Sequence, residues 1–317
     1  MGKLPSERGL CMKNRWKTLA KTFLLLMFLG SCLMILRQCA EYADRTASHD
    51  KALKLVGTTL VQELPEPALP MEEMSGESEV DVTPSQSDSE LVPEYSPAPA
   101  PCEEEVSKSA ELAWQEAPVF DDLWMDALQE TNLAALREVN PDVRGWILIP
   151  GTKLNYPIVQ GTDNDYYLNH TWDGISNSGG SVFLECRVSG DFSDFNTIIY
   201  GHRMMDGSMF GSLKYYRGQE YYREHPYIYL VDDGGVHRYE VFAAHEADVT
   251  SSTYYLVFTD ERKTAFIDDA LTHSVIDTGV TPGCNDRILT LSTCTGRGYE
   301  SRWVVQARLA ADGETPG

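Results

Sequence analysis

A cysteine and an arginine stand at the facing ends of two short β-patterns near the end of this 317-residue chain. In residues 287–294, RILTLSTC, large apolar residues alternate with smaller polar ones. This alternation predicts a strand whose last residue, Cys294, points away from the apolar face. After a Gly-containing break, residues 302–309 alternate in the same way, with Arg302 on the polar face. Two neighbouring strands of this kind would present a thiol and a guanidinium to one groove.

A histidine follows a third strand pattern. Residues 196–202, NTIIYGH, run from an apolar strand straight into Gly-His, so we expect His202 at a strand terminus where an imidazole can meet a thiol. A lone cysteine is more often a small buried hydrophobe, and a lone histidine is more often structural. The three residues together are what favours nucleophilic chemistry at a thiol.

Eight strand patterns separated by Gly, Asn and Asp clusters predict a closed or nearly closed β-barrel. They cover residues 145–149, 155–160, 180–186, 196–201, 226–231, 236–245, 287–294 and 302–309. Apolar residues at helical spacing predict one helix over residues 121–138 and another over 259–271. We expect the insertion at residues 251–280 to form one wall of the groove, since loops on a rigid scaffold commonly carry specificity.

An apolar segment near the N-terminus predicts a membrane anchor. Residues 19–36, LAKTFLLLMFLGSCLMIL, would span about 27 Å as a helix, close to a hydrocarbon core of about 30 Å. Basic residues precede this segment and acidic ones dominate after it, so the positive-inside rule makes residues 1–18 a cytoplasmic tail and puts the body outside. A cleavable signal peptide is the alternative, but no small-x-small pattern follows the apolar run closely.

Charge is unevenly distributed along the chain. Residues 1–40 hold seven Lys or Arg against one Glu, whereas the other 277 residues hold 19 basic and 47 acidic ones. Such an acidic body argues against a nucleic acid partner. Residues 62–116 contain 15 acidic residues, eight prolines and one Lys, a composition that cannot form a core. We therefore expect a disordered extracytoplasmic stalk over residues 37–118, a catalytic domain over 119–311 and a tail over 312–317.

The seven cysteines do not form a dense disulfide framework. Three of them lie in or beside the predicted membrane segment. If Cys294 is a working thiol, a pair such as Cys186 with Cys284 is left open, since nothing in the sequence fixes it. The remaining histidines have no metal-ligand spacing with cysteines or carboxylates, so we expect no metal site.

Five segments resemble those of the sortases, class B sortases in particular, and occur in family order. They are NPDVRGWILIPGTKLNYPIVQGTDNDYYLNH, GGSVFLE, NTIIYGHRMMDGSMFGSLKYY, TLSTC and SRWVVQARL, within residues 123–309. TLSTC and YGH with a later Arg are specific together and weak singly. The resemblance implies a mainly β, eight-stranded sortase-type barrel with an N-terminal helix and a helix inserted before the nucleophile strand. It also fits a membrane anchor, because sortases work outside the membrane of Gram-positive bacteria.

Carried over position by position, the resemblance makes Cys294 the nucleophile, His202 the acid/base and Arg302 the cation near the substrate carbonyl. A neighbouring cation favours the reactive thiolate. Arg302 can also donate hydrogen bonds to the developing oxyanion. Arg297, three residues after Cys294, is the competing cation, but its flanking glycines predict a mobile turn without fixed geometry.

The resemblance also implies a substrate pocket. Its candidate lining residues are Asn155, Val159, Ser292, Thr293 and Thr295. The backbone N–H of Thr295 is a candidate second donor to the oxyanion. No cofactor is implied.

The implied activity is transpeptidation of a sorting-motif peptide from a secreted surface protein, in class B enzymes typically Asn-Pro-x-Thr-x. The cysteine attacks the Thr carbonyl to form a thioester, and an amine of a peptidoglycan precursor or a pilin resolves it. A cysteine protease that resolves the same thioester with water is one alternative. A non-enzymatic adhesion domain on a stalk is another, but it leaves Cys294, His202 and Arg302 unexplained.

Overall fold

The computed structural model of the chain describes residues 7–57, 118–296, 298 and 300–310. Its strands are β1 Val143–Leu148, β2 Asn155–Val159, β3 Val182–Leu184, β4 Asn196–Tyr200, β5 Tyr227–Asp232, β6 Gly235–Asp248, β7 Ile288–Cys294 and β8 Ser301–Leu309. Its helices are α1 Glu7–Val56, α2 Pro118–Gln129, α3 Leu133–Val139, α4 Gln219–Glu224 and α5 Asp260–His273. The strands close into a barrel in the order β1-β2-β3-β4-β7-β8-β6-β5. The eight-stranded barrel predicted from the sequence is confirmed.

The barrel interior is filled by the apolar half of each strand pattern. Ile158, Ile199, Leu291 and Val305 all lie in this core and are fully buried. Two further apolar layers cover the outside of the barrel. Helices α1 to α3 pack on β1, β2, β3 and β5, and α5 packs on β6 and the start of β7. These helices leave open the edge of the barrel where β4 and β7 end and β8 begins, and a functional site can lie there.

Helix α1 runs without a break from the predicted membrane segment onto the barrel. Large apolar side chains between Phe23 and Leu36 are exposed, and in the part of the chain that the structure describes α1 is the one helix long and apolar enough to cross a membrane. Farther along the same helix, Ala52 and Val56 are buried against the barrel. The expectation of disorder from residue 37 onward is therefore wrong for residues 37–56, which are helical.

The described residues on the two sides of the acidic segment contact each other. Val56 and Leu128 belong to the same apolar cluster, and the backbone N–H of Asn132 donates to the Val56 carbonyl at 3.2 Å. Residues 58–117 lie outside the described residues. Because the chain on both sides of them packs on the barrel, the end of α1 lies directly against the barrel.

The helix predicted over residues 121–138 is two helices. Asn132 ends the continuity, since its side-chain Oδ1 accepts the N–H of Ala135 at 3.0 Å and caps α3. The helix predicted over residues 259–271 is α5, whose first turn is capped by the Thr259 hydroxyl. The break between α2 and α3 also depends on a tertiary contact, the hydrogen bond from Asn132 to Val56 of α1. A helical pattern in the sequence does not show such a contact.

Cys186 and Cys284 are both free thiols. Cys186 follows β3, and its Sγ lies 3.6 Å from a carboxylate oxygen of Glu185. Cys284 precedes β7, and its Sγ lies 3.1 Å from the Thr264 hydroxyl. The pairing that the sequence left open is absent from this structure.

The docking of α1 predicts unequal effects of one substitution at two positions on the same helix. Ala52→Asp buries an unpaired carboxylate and should lower the free energy of unfolding by about 3 kcal/mol or more. Ala47 is exposed, so Ala47→Asp should change that free energy by at most about 0.5 kcal/mol. Denaturant unfolding of the full-length chain in detergent, followed by Trp fluorescence, measures both. Equal losses would contradict the docking.

Candidate active site

Strands β7 and β8 place a thiol and a guanidinium opposite each other. Leu289 and Leu291 of β7 lie in the barrel interior, and the alternate residues face outward and end at the exposed Cys294. The antiparallel register pairs Cys294 with Arg302. Directly opposed residues have Cβ atoms about 4.5–5.5 Å apart on one face of the sheet. The two residues therefore face one groove, as the strand patterns predicted.

Strand β4 delivers His202 to the same edge of the barrel. It runs parallel to β7, with Tyr200 paired to Ser292, and the Gly201 N–H donates to the Ser292 carbonyl at 3.3 Å. The Thr293 hydroxyl donates to the Gly201 carbonyl at 2.8 Å. Because parallel strands end at the same side of a sheet, the residue after Gly201 emerges beside the end of β7 that carries Cys294.

The imidazole of His202 is oriented by a backbone carbonyl. Its Nε2 lies 2.9 Å from the Leu168 oxygen. A carbonyl only accepts hydrogen bonds, so Nε2 carries the proton of the neutral ring and Nδ1 is left for proton exchange. The backbone of the same residue is also held, because the Phe210 N–H donates to the His202 carbonyl at 3.0 Å.

A tyrosine that the sequence patterns missed lies beside these groups. The Tyr254 hydroxyl is 2.9 Å from the Ser292 Oγ. Burial raises the pKa of Tyr254 to about 12; the Ser292 hydrogen bond and the charge of Arg302 oppose that rise, and Cys294 adds to it. Tyr254 therefore stays neutral at ordinary pH and can donate a hydrogen bond in the groove. Its only sequence signal was its place in the insertion predicted as a groove wall.

The insertion contributes its first turn to the groove rather than its helix. Both the Thr253 and Tyr255 carbonyls accept hydrogen bonds from the buried Asn196 amide, at 3.0 and 3.1 Å, which fixes the backbone on either side of Tyr254. Helix α5 instead packs through Phe266 on Ile288, at the opposite end of β7 from the thiol. The first turn is thus the part of the predicted wall that contacts the groove.

A buried carboxylate supports the other side of the groove. Glu185 accepts hydrogen bonds from Arg187 Nε at 2.7 Å, Asn164 Nδ2 at 2.7 Å and the Tyr200 hydroxyl at 3.1 Å. Burial alone would raise its pKa, but these donors outweigh burial and lower the pKa below the usual range. Burial and the neighbouring Glu185 charge raise the pKa of Tyr200. The ionised carboxylate therefore fixes the hydroxyl of Tyr200, the β4 residue that pairs with Ser292 of β7.

The three polar residues proposed around Cys294, which are Ser292, Thr293 and Thr295, make different contacts. Ser292 faces outward and bonds Tyr254. Thr293 is buried, lies opposite Trp303 of the barrel interior and bonds Gly201, so it holds the strand end that precedes His202. Thr295 is buried, and its hydroxyl lies 3.1 Å from the Ser301 hydroxyl across the β7–β8 turn.

Asn155 and Val159 lie away from the thiol. The Asn155 side chain is buried and accepts the indole N–H of Trp146 at 2.6 Å. Val159 is fully buried in the apolar layer beneath α1 to α3. In the sheet, β2 is separated from β7 by β3 and β4, roughly 14 Å at ordinary strand spacing. Their burial and their distance from β7 do not favour the pocket role that the resemblance implies.

Two other expectations concern cations and metals. Arg297 lies outside the described residues, so Arg302 is the arginine whose register with Cys294 is known. Among the residues that the structure describes, no group of three or more His, Cys, Asp or Glu side chains could hold a metal ion. A thiol, an imidazole and a guanidinium at one barrel edge suit nucleophilic acyl transfer.

Comparisons with known proteins agree with this chemistry. A family model described as "Sortase domain" matches residues 147–310. Sortase B of Listeria monocytogenes is 40% identical over 185 residues, which are 56% of this chain and 73% of that protein. Sortase B of Staphylococcus aureus is 35% identical over 178 residues, 55% of this chain and 73% of that protein.

Solved structures agree as well. The Staphylococcus aureus sortase B–substrate complex superposes with a TM-score of 0.55 and 31% identity, over 65% of this chain and 98% of that one. The residues that the family model matches include β4, β7 and β8, which carry the groove.

Proposed function

The chain belongs to the sortase family, class B, whose members are cysteine transpeptidases, and we propose that its substrate is a C-terminal sorting motif of secreted proteins. Cys294 forms a thioester with the motif, and an amine of a peptidoglycan precursor or a pilin accepts the acyl group. The observation that carries the proposal is the register of Cys294 with Arg302 beside the end of β4.

In the first half-reaction His202 takes the proton of the Cys294 thiol at Nδ1, and the resulting thiolate attacks the carbonyl carbon of the motif's Thr. Negative charge grows on the carbonyl oxygen, and Arg302 and the Thr295 backbone N–H are the proposed donors to it. The C–N bond then breaks, and His202 delivers a proton to the departing amine. The acyl group remains on sulfur as a thioester.

In the second half-reaction an acceptor amine attacks the thioester. His202 takes the proton that the amine loses, and the sulfur leaves as thiolate. Water competes at high concentration, so transfer dominates only if the groove also binds the amine.

The proposed location follows from α1. Its exposed apolar stretch, with basic residues before it, supports a single-pass anchor with a cytoplasmic N-terminus and an extracytoplasmic barrel. The same helix packs on the barrel, so one unbroken helix joins the proposed anchor to the catalytic domain.

Substitution of Arg302 tests the oxyanion role. Loss of one such donor typically costs about 10²- to 10³-fold in turnover, so Arg302→Ala should lower kcat for peptide cleavage by that order. Arg302→Lys should recover only part of the loss, because an ammonium lacks the planar guanidinium fork. Cleavage of a fluorogenic Asn-Pro-x-Thr-x peptide measures both.

Arg308→Ala is the matched control. Arg308 lies on the same face at the far end of β8 and pairs with Glu240 at 2.8 Å, so its loss should leave kcat nearly unchanged. A severe defect in Arg297→Ala with Arg302→Ala nearly intact would overturn the assignment.

Addition of amines separates the transpeptidase from the protease. With the peptide and no amine, we expect slow release of a hydrolysed acid; with glycine-type or diaminopimelate-type amines, mass spectrometry should detect a ligated product in its place. Hydrolysed product alone across the whole series of amines would favour a cysteine protease.

A further inference from the structure

Two loops hold His202. The first, residues 203–210, follows it in the chain and returns through the Phe210 N–H bond to the His202 carbonyl. The second, residues 169–181, follows the turn whose Leu168 carbonyl orients Nε2. This second loop closes onto that turn, because the Ser181 N–H donates to the Tyr167 carbonyl at 2.9 Å. The imidazole is therefore only as fixed as these two loops.

One side chain of α1 grips the first loop. Arg45 Nη2 pairs with the Asp206 carboxylate at 3.2 Å, and Nη1 lies 3.7 Å from the Met204 sulfur. The Arg45 side chain is only 12% exposed, so this pair is better shielded from water than a surface ion pair. Burial would raise the pKa of Asp206, but the Ser208 hydrogen bonds and the Arg45 and Lys153 charges lower it, so Asp206 is ionised at neutral pH.

The same side chain also contacts the second loop. A Cβ placed on Gly179 would lie 2.6 Å from Arg45 Cδ, so the arginine stem runs directly over that glycine. Neighbouring α1 residues reinforce the contact: the Asn177 amide donates to the Glu41 carbonyl at 2.7 Å, and Asp173 accepts from the Ser48 hydroxyl at 2.7 Å. Arg45 is thus a bridge between the two loops that hold the imidazole.

We propose that Arg45 is a positioning residue for His202, acting through the 203–210 and 169–181 loops. It contacts neither the thiol strand nor, in our proposed mechanism, the substrate. The idea rests on the proposed function for its kinetic consequence, since a loosened imidazole transfers protons less efficiently. Because Arg45 lies on the helix that carries the apolar anchor stretch, the acid/base geometry depends on α1 being docked.

Arg45→Gln removes the charge and the bridge while keeping a polar helix residue. Misplacing a reacting group by about 1 Å can cost about 10²-fold, so we expect kcat for peptide cleavage to fall tenfold or more. KM should change by less than about twofold, because the peptide groove is elsewhere. Arg45→Lys should recover part of kcat, since an ammonium can pair with Asp206 without spanning both loops.

Lys51→Met is the matched control. Lys51 is on the same helix and pairs with Asp173 of the second loop alone, at 2.9 Å and with its side chain 47% exposed. We expect near-wild-type kcat. If Arg45→Gln and Lys51→Met lower kcat equally, or if both losses follow the loss of thermal stability, Arg45 has a structural role only and the proposal fails.

A readout independent of turnover keeps the two proposals apart. In ¹⁵N-histidine-labelled full-length protein, with the His202 signals assigned by their absence in His202→Ala, wild type should show the Nε2-protonated tautomer. Arg45→Gln should shift those signals toward a mixture, and Lys51→Met should not. An unchanged spectrum in Arg45→Gln overturns the positioning role. If wild type cleaves no sorting peptide, the proposed function fails while the spectra still decide the role of Arg45.

Discussion

The parallel pairing of β4 with β7 is the contact on which the rest of the site depends. It brings the chain end after Gly201 level with the end of β7, and the buried Thr293 hydroxyl fastens the two strand ends together. Antiparallel pairing of β7 with β8 then sets Arg302 opposite Cys294. Three residues separated by as much as 100 positions meet because two ladders share one strand. The sheet thus fixes where the three chain positions lie, and the loop contacts of His202 then orient its imidazole.

The groove wall depends on buried polar contacts outside the barrel interior. Asn196 reaches from β4 to the backbone on both sides of Tyr254, and its Oδ1 accepts the Thr290 hydroxyl at 2.7 Å. A buried amide that lost these partners would incur a desolvation penalty, so the turn that carries Tyr254 is held firmly. On the opposite side, the Glu41 carbonyl of α1 accepts a hydrogen bond from the Asn177 amide, only about 8 Å along the helix from Leu36. The groove and the exposed apolar stretch of α1 are therefore parts of one connected body.

Period-two alternation was sufficient to predict the eight strands and to orient Cys294 and Arg302, because successive side chains of a strand point to opposite faces of the sheet. Residue types and strand ends also singled out His202. The sequence could not reveal the Arg45 bridge or the Tyr254–Ser292 contact, since each joins residues far apart in the chain. Asn155 and Val159 were assigned to the pocket by resemblance alone, and their burial under α1 to α3 depends on packing that periodicity does not encode. The docked part of α1 was missed because the predicted stalk began at residue 37, whereas the acidic, Pro-rich composition that indicates disorder begins only at residue 62.

The central claim is that Cys294 carries the acyl group. The most direct test incubates the full-length protein with an Asn-Pro-x-Thr-x peptide, quenches with acid within one turnover and maps proteolytic fragments by mass spectrometry. The account predicts that the fragment containing Cys294 gains the mass of the acyl portion ending in Thr, and that hydroxylamine removes it as expected of a thioester. Cleaved peptide with no adduct on that fragment, or an adduct on another residue, would contradict it.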